Sequence, residues 1–194
     1  MSSLNPVVGE VVEDPNEDEL RVLLKSIAAQ DEKAMGLFYH ALESRTYRFI
    51  RSRLNDSFAA ADILNETMLE VWKTAERFQG RSKVSTWLFS IANHKLIDYT
   101  RKQQRHQAEE LDDSTIESEI EAPRDMLERI DDKQRISQCL EELTENHKAV
   151  LHLLFFEEMR YKEIAEIVDC PVGTVKTRVF HAKEALKQCL IKLV

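Results

Sequence analysis

Glycine and proline are scarce in this sequence, with four of each among 194 residues. Sandwiches and barrels need both at their turns. The shortage, set beside abundant Leu, Ile, Ala, Glu and Lys, points to an all-α protein. Cysteine is scarcer still. Cys139, Cys170 and Cys189 are odd in number, widely spaced and without a Cys-x-x-Cys pair, so they offer no disulfide framework and no zinc site. They are expected to be reduced and either buried or inert, with Cys170 the most accessible. No apolar run approaches the ~18 residues of a membrane span, and the acidic N-terminus lacks the apolar core of a signal peptide. The expectation is a cytoplasmic protein with no membrane insertion.

Catalytic signatures are missing too. His147 and His152 are five apart, not the i, i+4 spacing that puts two ligands on one helical face. There is no Gly-rich phosphate loop and no nucleophile motif. The residues therefore name no metal, no cofactor and no catalytic site, and the chain reads as a binding protein rather than an enzyme.

What the sequence has in excess is acid, for a net charge of −8. The excess is unevenly placed. Residues 1–19 carry −6, 20–105 carry +6, 106–132 carry −9 and 133–194 carry +1. Two basic or neutral segments thus alternate with two acidic ones, and the global sign hides a surface suited to polyanions. Residues 1–19 read as a disordered acidic tail and 106–132 as a flexible acidic linker. Between and beyond them lie two small helical domains, 20–105 and 133–194.

In the first domain, Leu20, Leu23, Leu24 and Ile27 form one stripe, and Asp31 caps a helix carrying Ala34, Leu37, Phe38, Leu42, Phe49 and Ile50. A third helix after Asn55-Asp56-Ser57 buries Leu64, Met68 and Val71. It shows Asp62, Asn65, Glu66 and Glu70 as an acidic stripe on its other side. The loop Phe78-Gln-Gly-Arg-Ser-Lys83 follows. A fourth helix from Val84 then leaves Asn93, Lys95 and later cations outward, while Trp72, Trp87 and Phe89 suit the core better than a stacking platform. Loop and helix together make a basic, aromatic-bearing edge of the kind that suits unpaired nucleic acid.

The second domain ends on the most informative stretch, Tyr161 to Lys187. Ile164, Ala165 and Val168 recur at helical spacing, and Pro171 stops that helix. Thr174 is a good N-cap for the next, whose stripe is Val175, Val179, Ala182 and Leu186. Two short helices across such a break form a helix-turn-helix. The second leaves Lys176, Thr177, Arg178, Phe180, His181 and Lys183 outward, groups that read base edges, thymine methyls and phosphates. A helical hairpin with a solvated basic face is the plainer alternative.

Two separated stretches resemble one family. Asp62-Ile-Leu-Asn-Glu66 through Trp72, Phe78-Gln-Gly-Arg81 and Ser85-Thr-Trp-Leu-Phe-Ser-Ile-Ala92 are similar to region 2 of bacterial sigma factors. Pro171-Val-Gly-Thr-Val-Lys-Thr-Arg178 is similar to their region 4 promoter-reading helix. Having only these two domains, the chain resembles the extracytoplasmic-function group. The resemblance implies a dissociable subunit that directs core RNA polymerase to specific promoters and assists strand opening. It implies that Asp62, Asn65, Glu66 and Glu70 meet the polymerase clamp coiled coil. Phe78, Arg81, Lys83, Asn93 and Lys95 would take the melted minus-ten element. Thr174, Lys176, Thr177, Arg178, Phe180, His181 and Lys183 would take the minus-thirty-five duplex. It also implies a stress response under an anti-sigma factor covering both domains. Where the family often has Arg-Asn, this chain has Asn93-His94, and His181 stands where Arg is common; both bear on promoter sequence. A rival reading is an ordinary helix-turn-helix regulator, which would be a homodimer on palindromic sites.

Overall fold

A computed structural model describes residues 16–111 and 132–193. Eight helices, and no strand among the described residues, make up the fold: α1 (Glu17–Ala28), α2 (Glu32–Arg51), α3 (Ser57–Thr74), α4 (Val84–Leu111), α5 (Asp132–Glu141), α6 (Glu145–Phe155), α7 (Tyr161–Ile167) and α8 (Val172–Lys192). A 3-10 turn, Ala75–Arg77, follows α3. The expected all-α class in two helical domains is what forms. Of the acidic tail, residues 1–15, and of the acidic linker, residues 112–131, lie outside the described residues.

Local chemistry sets most of the helix starts. Asp31 accepts from the backbone N–H of Lys33 and Ala34 at 2.9 and 3.2 Å. Asp56 does the same for Phe58 and Ala59 at 2.8 and 3.1 Å. Each such cap stabilises its helix by ~1 kcal/mol. Helix α1 begins three residues before the expected Leu20, because Asn16 and Glu19 form a capping box. The acids Glu17, Asp18 and Glu19, assigned above to a tail, are its first turn, where negative charge meets the positive end of the helix dipole. At the other boundary, α4 runs on to Leu111 rather than stopping near residue 105.

Phe38, Phe49, Phe89, Leu20, Leu24, Ile27 and Leu96 are fully enclosed between α1, α2, α3 and α4. Each such side chain contributes about 1.5–3 kcal/mol through burial. Phe49 and Phe89 meet edge to face, centroids 5.3 Å apart. Leu37, read as inward, is instead exposed, as is Ile97 on α4. The apolar core does not end at the first domain. Val150, Leu153, Met159, Ile164 and Ile167 from α6, α7 and their connection continue it, so α7 lies against α4 and α6 against α2. The two domains are closed on one another.

The cysteines correct the reading above. Cys139 on α5 and Cys189 on α8 form a disulfide, with Cα atoms 5.7 Å apart across 50 residues of sequence. Wide spacing in the chain said nothing about distance once α5 packs along α8. Cys170 is free and half-buried.

Candidate nucleic-acid interface

The helix-turn-helix is built by a left-handed residue and a proline. Asp169 takes φ 47° just beyond α7, and the Cys170 N–H closes the turn onto the Ala165 carbonyl at 3.1 Å. Pro171 occupies the cap position of α8. It has no N–H to leave unsatisfied there, and its fixed φ suits a helix start. The helix therefore begins at Val172, and Thr174 is not its cap but a half-buried residue of the first turn. Val175, Val179 and Ala182 are buried as read, and Lys176, Thr177, Phe180, His181 and Lys183 are exposed on the outer face. Thr177 Oγ1 donates to the Gly173 carbonyl at 3.1 Å, Phe180 meets the His181 ring edge on, and the Lys183 ammonium lies over Phe155. Arg178 is half-buried. Burial, aided by the charges of His181 and Arg178, holds His147 below the usual imidazole range.

On the opposite domain, Asp62, Asn65 and Glu66 are exposed along α3. Tyr39 donates its hydroxyl to Asn65 at 3.2 Å. Glu70 is partly engaged, 3.4 Å from Lys95. Phe58 and Leu69 stand exposed on the same helix, so the stripe combines acid with apolar area.

The basic edge is less open than the sequence implied. Gly80 adopts φ 68° in the loop after α3, and a Cβ there would come 3.2 Å from Arg21 Nη1. Arg21 itself donates to the Ser82 carbonyl at 3.0 Å and lies over the Phe78 ring. Glu17 accepts from the Val84 N–H. Thus α1 sculpts this loop and caps α4, a role the sequence reading missed; the Asn16-x-x-Glu19 box was its one local signal. Phe78 packs on Trp87, and Arg81 is exposed. Asn93, read as outward, is 2% exposed. Its carboxamide accepts from Arg53 at 2.6 Å and donates to the Ile167 carbonyl of α7 at 3.0 Å. Lys83 is bound to Glu163 of α7 at 2.8 Å.

Further pairs join the domains. Arg45 reaches Glu157 at 2.8 Å, and Arg53 lies 3.5 Å from Glu145. His152 stands beside both Phe49 and Glu157. Burial pushes the Glu157 carboxyl up, but His152 and Arg45 outweigh it and hold it below the usual carboxylate range. A small polar cleft lined by Glu17, Arg45, Lys83, Glu157, Glu158 and Glu163 runs along this seam. On the second domain, Ile136, Leu140, Phe155, Phe156, Leu190 and Ile191 line an apolar groove next to the disulfide-bonded positions. Among the described residues no three potential ligands gather as a metal site, and no helix is long and apolar enough to cross a membrane.

Comparison with known proteins agrees with this layout. Sigma-70 region 2 matches residues 38–106, and Sigma-70, region 4 matches residues 133–186. The ECF RNA polymerase sigma factor SigK of Mycobacterium tuberculosis is 25% identical, over 89% of this chain and 94% of that protein. The ECF RNA polymerase sigma-E factor of Salmonella typhimurium is 28% identical, over 86% and 91%. Among solved structures, CnrH, in complex with the cytosolic domain of CnrY, superposes with a TM-score of 0.67 at 19% identity, over 90% of this chain and 99% of that one. The sigma factor RpoE in complex with the anti-sigma factor NepR from Bartonella quintana gives 0.59 at 24% identity, over 90% and 95%. With both regions matched in order, and relatives aligned across nearly their whole length, this chain belongs to the ECF sigma factors of RNA polymerase.

Proposed function

We propose that the chain divides promoter recognition between its two domains as follows. The first, residues 20–105 with the capped start of α1, carries the polymerase contact and the minus-ten reader. Asp62, Asn65, Glu66 and Glu70 form the polymerase contact, with Phe58 and Leu69 adding apolar area. Phe78, Arg81, Lys83, Asn93 and Lys95 receive the unpaired minus-ten bases once the seam with α7 has opened. The second domain, residues 133–194, reads the minus-thirty-five duplex. Lys176, Thr177, Phe180 and His181 lie nearest the bases, and Thr174, Arg178 and Lys183 hold register and phosphates.

The observation that carries this reading is the exposure of two unlike surfaces on one chain. One is an acidic, part-apolar stripe on α3; the other is a basic, aromatic-bearing face on α8. A homodimeric regulator has use for the second but not for the first. The protein acts as a specificity subunit without chemistry of its own, in the cytoplasm where polymerase works. An anti-sigma factor holds it inactive until a stress signal. That partner is supported by the solved relative bound to NepR and by the apolar groove on the second domain, which suits an amphipathic helix.

Core binding tests the assignment. Labelled chain titrated with core polymerase should bind with submicromolar affinity, and Glu66→Arg should weaken it by at least tenfold while Phe180→Ala leaves it unchanged. Equal binding by the Glu66→Arg chain would remove α3 from the interface.

A further inference from the structure

We infer that the cleft between α2, α5 and α6 is a binding site for a free nucleotide, its phosphates held by Arg48, Arg51 and Lys148 and its base laid against Phe156. None of these four residues belongs to the polymerase or promoter surfaces assigned above, so the inference stands apart from that reading.

Size and charge point to a small polyanion. The cleft is about 350 Å³ in volume, within the ~300–1,000 Å³ that small-molecule sites occupy. Arg48 and Arg51 line it from the last turn of α2, and Lys148 lines it from α6. Glu141 of α5 is the only acid among its described lining residues, so three cations outweigh one carboxylate and favour an anion of more than one charge. The cations are also available. Arg48 has no side-chain partner among the described residues. Arg51 gives one donor to the Leu54 carbonyl and keeps the others. Lys148 lies 3.3 Å from Glu145 and has further donors. Guanidinium groups match phosphate oxygens in pairs, which makes two arginines on one turn a suitable cradle.

The rest of the lining suits a nucleoside. Phe156 is 66% exposed, and its ring is stacked on His152 with centroids 5.0 Å apart and planes at 25°. His152 is buried and meets Phe49 edge on, so the exposed ring has a fixed backing. A base can extend that stack. Leu140 and Leu151 add apolar wall, and Asn55 and Ser137 bring an amide and a hydroxyl for base or ribose edges. The Cys139–Cys189 bridge fixes α5 to α8, which holds the α5 wall in place before any ligand arrives. A cleft of this volume takes one nucleotide, not a run of them. Because α2 belongs to the first domain and α5 and α6 to the second, a nucleotide seated there touches both domains at once.

The test uses the full chain and calorimetric titration with ADP, inorganic pyrophosphate and adenosine. ADP should saturate a single site and bind about tenfold more tightly than either of the other two, since each of those supplies only part of the ligand. Arg48→Gln should weaken ADP and pyrophosphate alike by about tenfold. Phe156→Ala should weaken ADP about fivefold and leave pyrophosphate unchanged, a split that misfolding does not produce. Both side chains are exposed, so the unfolding midpoints of the two variants without ligand should match the wild type. Lys25→Gln with Lys33→Gln removes two exposed lysines away from the cleft and should change nothing. Absence of saturable ADP binding, or equal binding by the Arg48→Gln chain, overturns the inference. So does a mixed-sequence single-stranded oligonucleotide that binds more tightly than ADP and loses affinity with the same substitutions, because the cleft then serves a strand.

Discussion

Phe180 stands on the outer face of α8 with 62% of its surface exposed. In the proposed division of promoter recognition, that exposed ring is the group that meets a thymine methyl. Phe180→Ala should therefore leave unfolding within about 0.5 kcal/mol of wild type. The same change should weaken minus-thirty-five binding by the holoenzyme about tenfold, or ~1.4 kcal/mol. Footprinting against thermal unfolding separates the two. Glu157 makes the opposite case, a charge kept dry. Its folded carboxyl titrates below its unfolded value because His152 and Arg45 outweigh its burial. Stability from this group is thus fully present above about pH 4, the ordinary carboxylate range, and is lost as pH falls through the lower folded value. Denaturant unfolding as a function of pH should show that loss in wild type and not in Glu157→Gln. An identical acid limb in both would remove Glu157 from the seam's energetics. Residues like these also mark what a sequence can disclose. The outward face of α8 follows from spacing alone. The burial of Asn93 does not, because its partner is a carbonyl 74 residues away.

At the scale of elements, local signals carried well where the chemistry was local. Asp31 caps the helix it announced, and Asp56 and Thr144 cap α3 and α6 in the same way. Thr174 misled because it is the same kind of residue placed three positions too late, and Pro171 had already supplied a start that asks for no hydrogen bond. The acids of 17–19 were taken for tail because their count was read before their spacing from Asn16. The disulfide was illegible for a different reason: nothing in residues 139 or 189 reports that α5 lies along α8. Its consequence is specific. Bridging two helices across a 50-residue loop should stabilise the second domain by ~2–4 kcal/mol. Reductant, or Cys139→Ser, should lower its unfolding midpoint in urea, while Cys170→Ser should not. Coincident midpoints with and without reductant would mean that the bridge contributes nothing to the folded domain.

Over the whole molecule, charge is sorted by segment, and opposite signs pair where the two domains meet. The +6 of residues 20–105 and the near-neutral second domain meet along the seam, basic side to acidic side. Partition of charge by segment was legible, as were the two domains and the family they resemble. Their mutual docking was not, since it depends on surfaces that each domain would also present alone. The central claim is that this chain brings core polymerase to promoters and opens them, and run-off transcription tests it most directly. Purified chain, core polymerase and a genomic promoter library should yield discrete transcripts that are absent without the chain and abolished by Glu66→Arg. Failure to initiate, with the chain alone shifting palindromic duplexes as a dimer, would contradict the account.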